Sequence, residues 1–186
     1  MKKFDGPQVW QYVVEMFDYL PIAAVIENKI FCVHGGMSPL IQRIGDIDKF
    51  NRFGEVPSEG PITDLMWSDP DNEVEGFKIS ERGAGYIFGE IVVNQFLHIN
   101  NIDTIVRAHQ LCFEGYNTLF NGKIITVWSA PHYMNRYFNM ASIMEIDENL
   151  NKSFNIFEDA ERKATNSELK QKTTEMFNNE LEKYFQ

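Results

Sequence analysis

Residues 31–39 read Phe31-Cys32-Val33-His34-Gly35-Gly36-Met37-Ser38-Pro39. Ile30 to Val33 form a short buried strand in this reading. It ends on a histidine, and two glycines follow at once. Strand backbone holds an imidazole at its tip rigidly, and the glycines allow a sharp turn and leave room for an ion or ligand. One such histidine, taken alone, is more often a hydrogen-bonded core residue than a ligand. The chain repeats the arrangement at Thr104-Ile105-Val106-Arg107-Ala108-His109, a second apolar strand that ends on a histidine after a small residue. Two strand-end histidines from distant parts of one chain point to one shared site. Neutral imidazole is the commonest protein metal ligand, so a metal site is the first expectation.

Outward from that stretch, Pro7 to Leu20 has the spacing of an amphipathic helix, with Val9, Val13, Phe17 and Leu20 on one face. Ile22–Ile26 and Ile30–His34 flank Glu27-Asn28-Lys29 and read as a hairpin. Asp46 is placed to cap a short helix running to Arg52. From Pro70 to Gly83 the chain is polar and reads as surface loop. Ala84 to Leu97 reads as a helix, with Gly89 as its weak point, and strand Ile102–Ala108 follows. Asn121-Gly122 is a hairpin signal before strand Lys123–Trp128. Phe138–Ile146 and Ser153–Phe157 complete a strand-rich second half. The residues alone therefore predict a layered α/β (α+β) fold with much antiparallel sheet. From Glu161 the tail is charged, with Leu169, Thr173, Met176, Phe177, Leu181 and Phe185 at near-helical spacing; it reads as a docked or frayed terminal helix, with a partner-binding segment as the alternative.

The 186 residues suffice for a buried core, and 44% hydrophobic content places the chain among globular proteins. No apolar run approaches the roughly 20 residues of a spanning helix, and the charged start has no apolar core behind it. No membrane role is expected, and the net charge of −10 argues against nucleic acid as a partner. Cys32 and Cys112 sit in apolar stretches and read as reduced thiols of a cytoplasmic or nuclear protein. Any phosphate handled here must be met by a few placed cations. Two candidates stand beside turns. Arg82 precedes Gly83-Ala84-Gly85, and Arg136 ends the loop Ser129-Ala130-Pro131-His132-Tyr133-Met134-Asn135-Arg136 that leaves the strand Lys123–Trp128. Each arginine alone would read as a solvated charge. Beside strand-tip histidines they suit a tetrahedral oxyanion, because a guanidinium grips phosphate oxygens with fixed geometry. Metal ions would neutralise the same oxygens and activate a water.

Five blocks in order, FCVHGGMSP (31–39), EGPITDLMWSDPD (59–71), RGAGYIFGE (82–90), RAHQLCFEGY (107–116) and TVWSAPHY (126–133), resemble the metal-dependent serine/threonine phosphoprotein phosphatase catalytic subunits. The likeness is to the branch holding protein phosphatases 2A, 4 and 6, with the stretches IDTIVRAHQ and FNIFEDA closest to type 4. The resemblance implies the C-terminal part of a calcineurin-like metallophosphoesterase domain over residues 1–160. That is a β-sandwich flanked by helices, followed by the tail 161–186. It implies His34 and His109 as ligands of one ion in a centre of two divalent metals (manganese, iron or zinc). It implies Arg82, Tyr133 and Arg136 as substrate-phosphate-binding residues. The implied reaction is direct hydrolysis of phosphoserine and phosphothreonine, by in-line attack of an activated water while a histidine protonates the leaving oxygen. Implied partners are phosphoprotein substrates and regulatory or scaffold subunits.

The departures from the family pattern carry as much weight. The motifs GDxHG, GDxVDRG and GNHE do not occur, and in the family they precede the helix at Pro7. The remaining metal ligands and the proton-donating histidine are therefore expected to lie outside this sequence, which holds about half of one active site. Asp64, Asp69 and Asp71 are nearby acids that no motif assigns to a metal. His132 stands where the family has an asparagine, and reads as a substituted structural hydrogen-bonder, with a stray extra metal ligand as the alternative. Tyr137 stands where the family has a cysteine, which predicts no covalent capture by thiol-alkylating toxins; an adduct seen by mass spectrometry would refute it. Gln186 replaces the usual terminal leucine, so carboxyl methylation there is not expected. Two function classes follow: a segment of a phosphatase catalytic subunit, inactive alone, or a non-catalytic phosphatase-derived binding or scaffold protein. The isolated chain is expected to be marginally stable, because a cut sandwich exposes sheet edges and apolar faces.

Overall fold

The computed structural model describes residues 6–160. The predicted terminal helix from Glu161 lies outside them. The described residues divide into two compact units, 6–110 with 118–126, and 111–117 with 127–160.

The first unit begins with α1 (Gln8–Phe17), then β1 (Ala23–Ile26) and β2 (Ile30–Val33). Glu27 and Asn28 both take left-handed φ values, of 48° and 53°, as a tight two-strand turn demands. They bring β1 and β2 into antiparallel register, with Ala24 opposite Cys32. A 3₁₀ turn spans Ile44–Lys49, where the Asp46 carboxylate accepts from the Arg43 N–H. Then come α2 (Pro61–Trp67), β3 (Asp69–Pro70), β4 (Phe77–Ile79), β5 (Tyr86–Phe88), α3 (Glu90–Asn100) and β6 (Thr104–Arg107). β7 (Glu114–Leu119) and β8 (Ile124–Val127) straddle the division between units.

β2 pairs with β6 in parallel, Cys32 opposite Val106, and β6 pairs with β8 in parallel, Val106 opposite Ile125. The middle of this sheet is thus parallel, beside the antiparallel β1–β2 hairpin. Only the β1–β2 hairpin fixed its direction locally. β2 and β6 are about 70 residues apart, with helices between, and such connections return strands in the same direction. Parallel strands are covered on both faces and read as continuous apolar runs. Accordingly Ile30, Phe31, Val33, Ile105 and Ile124 are all buried, and the last four pack with Leu65, Phe88, Val93, Phe96 and Leu97.

The expected helix over 84–97 is a second correction. Tyr86–Phe88 is strand β5, parallel to β3 and antiparallel to β4, and α3 starts only after Gly89. A side chain at residue 89 would collide with the Val74 carbonyl, so glycine marks the boundary between strand and helix. The expected loop over 70–83 likewise contains β4, recruited by this pairing. α3 ends on Asn101 in the left-handed conformation, φ 53°.

The second unit is built on β9 (Met140–Ile146) and β10 (Lys152–Phe157), an antiparallel hairpin with Phe154 opposite Met144. The start of β7 runs parallel to β9, with Gly115 opposite Ala141. Asp147 closes the β9–β10 turn, its carboxylate accepting from the Asn149 and Asn151 N–H groups. Tyr116 stacks on Phe154 with ring centroids 3.8 Å apart.

Candidate functional site

His34 and His109 follow the ends of neighbouring parallel strands, β2 and β6, and the Ala108 N–H donates to the His34 carbonyl at 3.0 Å. The two side chains meet. His34 Nε2 and His109 Nδ1 lie 3.2 Å apart. The Trp67 ring packs edge-on against the His109 imidazole, with centroids 5.4 Å apart. His109 holds a left-handed φ of 64°, which a non-glycine residue adopts at a cost of about 1–3 kcal/mol. Gly35 and Gly36 explain why the tip of β2 must be small. Both N–H groups donate to the Leu65 carbonyl, at 2.8 and 3.2 Å. A Cβ at Gly35 would run into the Met66 and Trp67 backbone, and one at Gly36 into the Phe88 ring.

Beneath the imidazoles lies Arg107, whose side chain is 0% exposed. Its Nε donates to the Gly35 carbonyl, Nη1 to Gln110 Oε1 at 2.8 Å, and Nη2 to the Ser68 carbonyl at 3.2 Å and Asp69 Oδ1 at 2.8 Å. The other oxygen of Asp69, Oδ2, accepts from Arg82 Nε at 2.6 Å. One buried carboxylate therefore bridges two arginines. Arg82 itself is 42% exposed. Ser68 Oγ accepts from the Tyr86 N–H, and Ser80 Oγ from the Arg82 N–H, which fixes the turn that presents Arg82. Asp64 is buried elsewhere, taking a 2.6 Å hydrogen bond from the Ser38 hydroxyl, and burial raises its pKa. It braces the chain after His34 against α2.

Burial lowers the pKa of His109 to about 4, opposed by the charge of Asp69. Burial, with Arg107 adding to it, lowers that of His34 as well. Both imidazoles are neutral near pH 7, the form that binds metal. Their fit to an ion can be judged directly. Metal–nitrogen bonds of about 2.0–2.1 Å put neighbouring ligand atoms roughly 3 Å apart, close to the separation here. Among the described residues, however, no group of three or more histidine, cysteine, aspartate or glutamate side chains could hold an ion. Asp69, the nearest acid in the network, has both oxygens engaged by arginines. The pair fits two ligands of a metal and supplies no third.

Tyr133 and Arg136 belong to the second unit. A 3₁₀ turn at Tyr133–Asn135 carries them, with His132 and Met134 in left-handed backbone. The turn is pinned by Asn139, which is fully buried. Its amide donates to the Ala130 and Met140 carbonyls, both at 2.8 Å, and its oxygen accepts from the Tyr133 N–H at 2.9 Å. The Tyr133 ring meets the Trp128 indole edge-on at 4.7 Å, and Arg136 is exposed. His132 Nδ1 lies 3.2 Å from Asp159 Oδ2, and its ring stacks on Phe138. The first unit thus brings together His34, His109 and Arg82, while Tyr133 and Arg136 share a separate loop. Sequence reasoning left Arg107 without a role and treated Asp69 only as a neighbouring acid. The block Trp67-Ser68-Asp69-Pro70-Asp71 was the available signal, but a contact across 38 residues leaves no local trace.

A family model described as calcineurin-like phosphoesterase matches residues 1–113. A catalytic subunit of protein phosphatase 2A from Dictyostelium discoideum is 50% identical over 185 residues, covering 100% of this chain and 58% of that protein. The serine/threonine-protein phosphatase 4 catalytic subunit of Candida glabrata is 50% identical over 158 residues, covering 85% of this chain and 51% of that protein. A solved structure of a Saccharomyces cerevisiae protein serine/threonine phosphatase with similarity to human phosphatase PP5 superposes with a TM-score of 0.77 at 27% identity. The match covers 86% of this chain and 53% of that one. The chain spans about half the length of the curated relatives it matches.

Proposed function

The chain belongs to the calcineurin-like phosphoesterase family, and from that premise we propose that it is a segment of a metal-dependent serine/threonine protein phosphatase catalytic subunit. The observation that carries this reading is the 3.2 Å approach of His34 Nε2 to His109 Nδ1 in the unit that also holds Arg82 out to solvent.

In the proposed roles, His34 and His109 are neutral donors to one of two divalent ions, with manganese, iron and zinc as candidates. When bound, such ions supply Lewis-acid chemistry at the phosphoryl oxygens and an activated water. The chain's own residues do the rest. Arg82 pairs with phosphoryl oxygens of phosphoserine or phosphothreonine. Tyr133 and Arg136 add a hydroxyl and a guanidinium from the loop that Asn139 pins. Phosphoproteins are the proposed substrates, regulatory subunits the proposed partners, and the cytoplasm or nucleus the proposed location. The remaining ligands and the proton donor to the leaving oxygen are proposed to come from polypeptide corresponding to the relatives' unmatched length.

The alternative reading is a non-catalytic, phosphatase-derived binding protein. A chimera separates the two. The unmatched upstream part of the Dictyostelium relative is joined to this chain, and phosphate release from a phosphothreonine peptide is measured with manganese. Metal-dependent release that vanishes in His34→Ala and in His109→Ala supports the phosphatase reading. A folded, metal-loaded chimera without turnover supports the binding protein. The 186-residue chain alone is expected to release none.

A further inference from the structure

Arg82 can offer an oxyanion either the edge formed by Nε and one Nη or the fork formed by its two Nη groups. Asp69 removes the choice. Its Oδ2 takes the Nε–H at 2.6 Å, so the end that remains is the Nη fork on a side chain 42% exposed. Asp69 is itself held. It is 6% exposed, and its other oxygen takes the Arg107 Nη2 at 2.8 Å. Arg107 is rooted by Gly35 and Gln110, the residues directly after His34 and His109. A continuous chain of charge-assisted hydrogen bonds thus runs from the Gly35 carbonyl and the Gln110 side chain, each next to one of the two histidines, to the exposed guanidinium. Such bonds are the stronger and more directional kind.

We propose that Asp69 is a positioning residue for phosphate: it fixes which edge of Arg82 faces the anion and ties that edge to the His34–His109 pair. The inference rests on the proposed phosphate role of Arg82. It adds a prediction whose sign differs from that of simple electrostatics. Removing a negative charge near an anion site should tighten anion binding. Removing a positioning group should loosen it, because a freed guanidinium must be ordered again on binding.

The test uses the full chain and inorganic phosphate, followed by NMR titration. Asp69→Asn is expected to weaken phosphate binding by about tenfold, the low end for loss of a group that orients a ligand. In an Arg82→Ala background the same substitution is expected to leave binding unchanged or tighten it. Asp69→Glu, which keeps the charge, is expected to recover part of the affinity. Unchanged or tighter binding in Asp69→Asn with Arg82 present overturns the proposal while leaving Arg82 as a phosphate ligand. No loss of phosphate binding in Arg82→Ala overturns both. Because Asp69→Asn strips a buried arginine of its counter-charge and risks misfolding, a second measurement uses the unaltered chain. The Arg82 Nε–H proton should exchange with water at least about tenfold more slowly than that of free arginine, and phosphate should shift the Nη resonances more than the Nε. Exchange as fast as in free arginine contradicts the clamp.

Discussion

The strand tips of the first unit and the 129–139 loop of the second carry the same kinds of side chain, yet hold them differently. At the strand tips a fully buried arginine and a bridging carboxylate connect β2, α2, β3 and β6 through ionic hydrogen bonds. In the loop a neutral amide, Asn139, makes three bonds to nearby backbone, beside the His132–Asp159 contact. The first arrangement joins side chains and backbone from segments far apart in sequence. The second fixes one turn. The difference teaches that Arg82 is presented by a frame spanning distant segments, whereas Tyr133 and Arg136 are presented by contacts local to their loop.

The largest effect should come from breaking the frame. Arg107→Leu leaves the Gly35 and Ser68 carbonyls and Asp69 short of donors in a buried place. It should cost about 3–5 kcal/mol in urea denaturation, with lost exchange protection in both β2 and β6. A cost under about 1 kcal/mol would make Arg107 a spectator. Next, Asn139→Ala should cost about 1–3 kcal/mol. Its loss of exchange protection should be confined to residues 130–140; a loss that spreads to β9 and β10 as a whole would break the comparison.

Acid should act on the frame through its histidines. A histidine whose folded pKa is depressed takes up a proton on unfolding, so stability is lost as pH falls from the ordinary value of 6.5 toward about 4. Chemical denaturation at fixed pH steps should show this decline, and His109→Gln should flatten it. A profile level between pH 6.5 and about 4 would show that His109 titrates as if exposed. The smallest effect is expected on α1, where Trp10→Ser at a side chain 68% exposed should shift stability by less than about 0.5 kcal/mol.

Much of the frame's outline is legible in sequence. Apolar runs ending in His-Gly-Gly and in Ala-His place β2 and β6 and their imidazoles, because buried parallel strands leave an unbroken apolar signature. The Glu27-Asn28-Lys29 hairpin is equally local. β7 escapes notice because Glu114–Leu119 is polar and short of apolar alternation. β4 and β5 escape because each is three residues long and exists only through its partner. The Arg107–Asp69–Arg82 bridge is invisible to any local pattern, since charge pairs between segments have no period. α1 shows a further limit. Its amphipathic spacing is as regular as that of α3, and it forms a helix. Yet α3 buries Val93, Phe96 and Leu97 while α1 buries none of its residues. Periodicity specifies the helix and says nothing of what covers it.

The central claim is that His34 and His109 are two ligands of one ion. The most direct measurement is a manganese titration of the chain, following its histidine ring resonances by NMR, where the paramagnetic ion broadens nearby nuclei. The account predicts that His34 and His109 broaden together at one midpoint, and that either single alanine substitution abolishes the effect at the other. Broadening at separate midpoints, or first at His98 or His132, would contradict it.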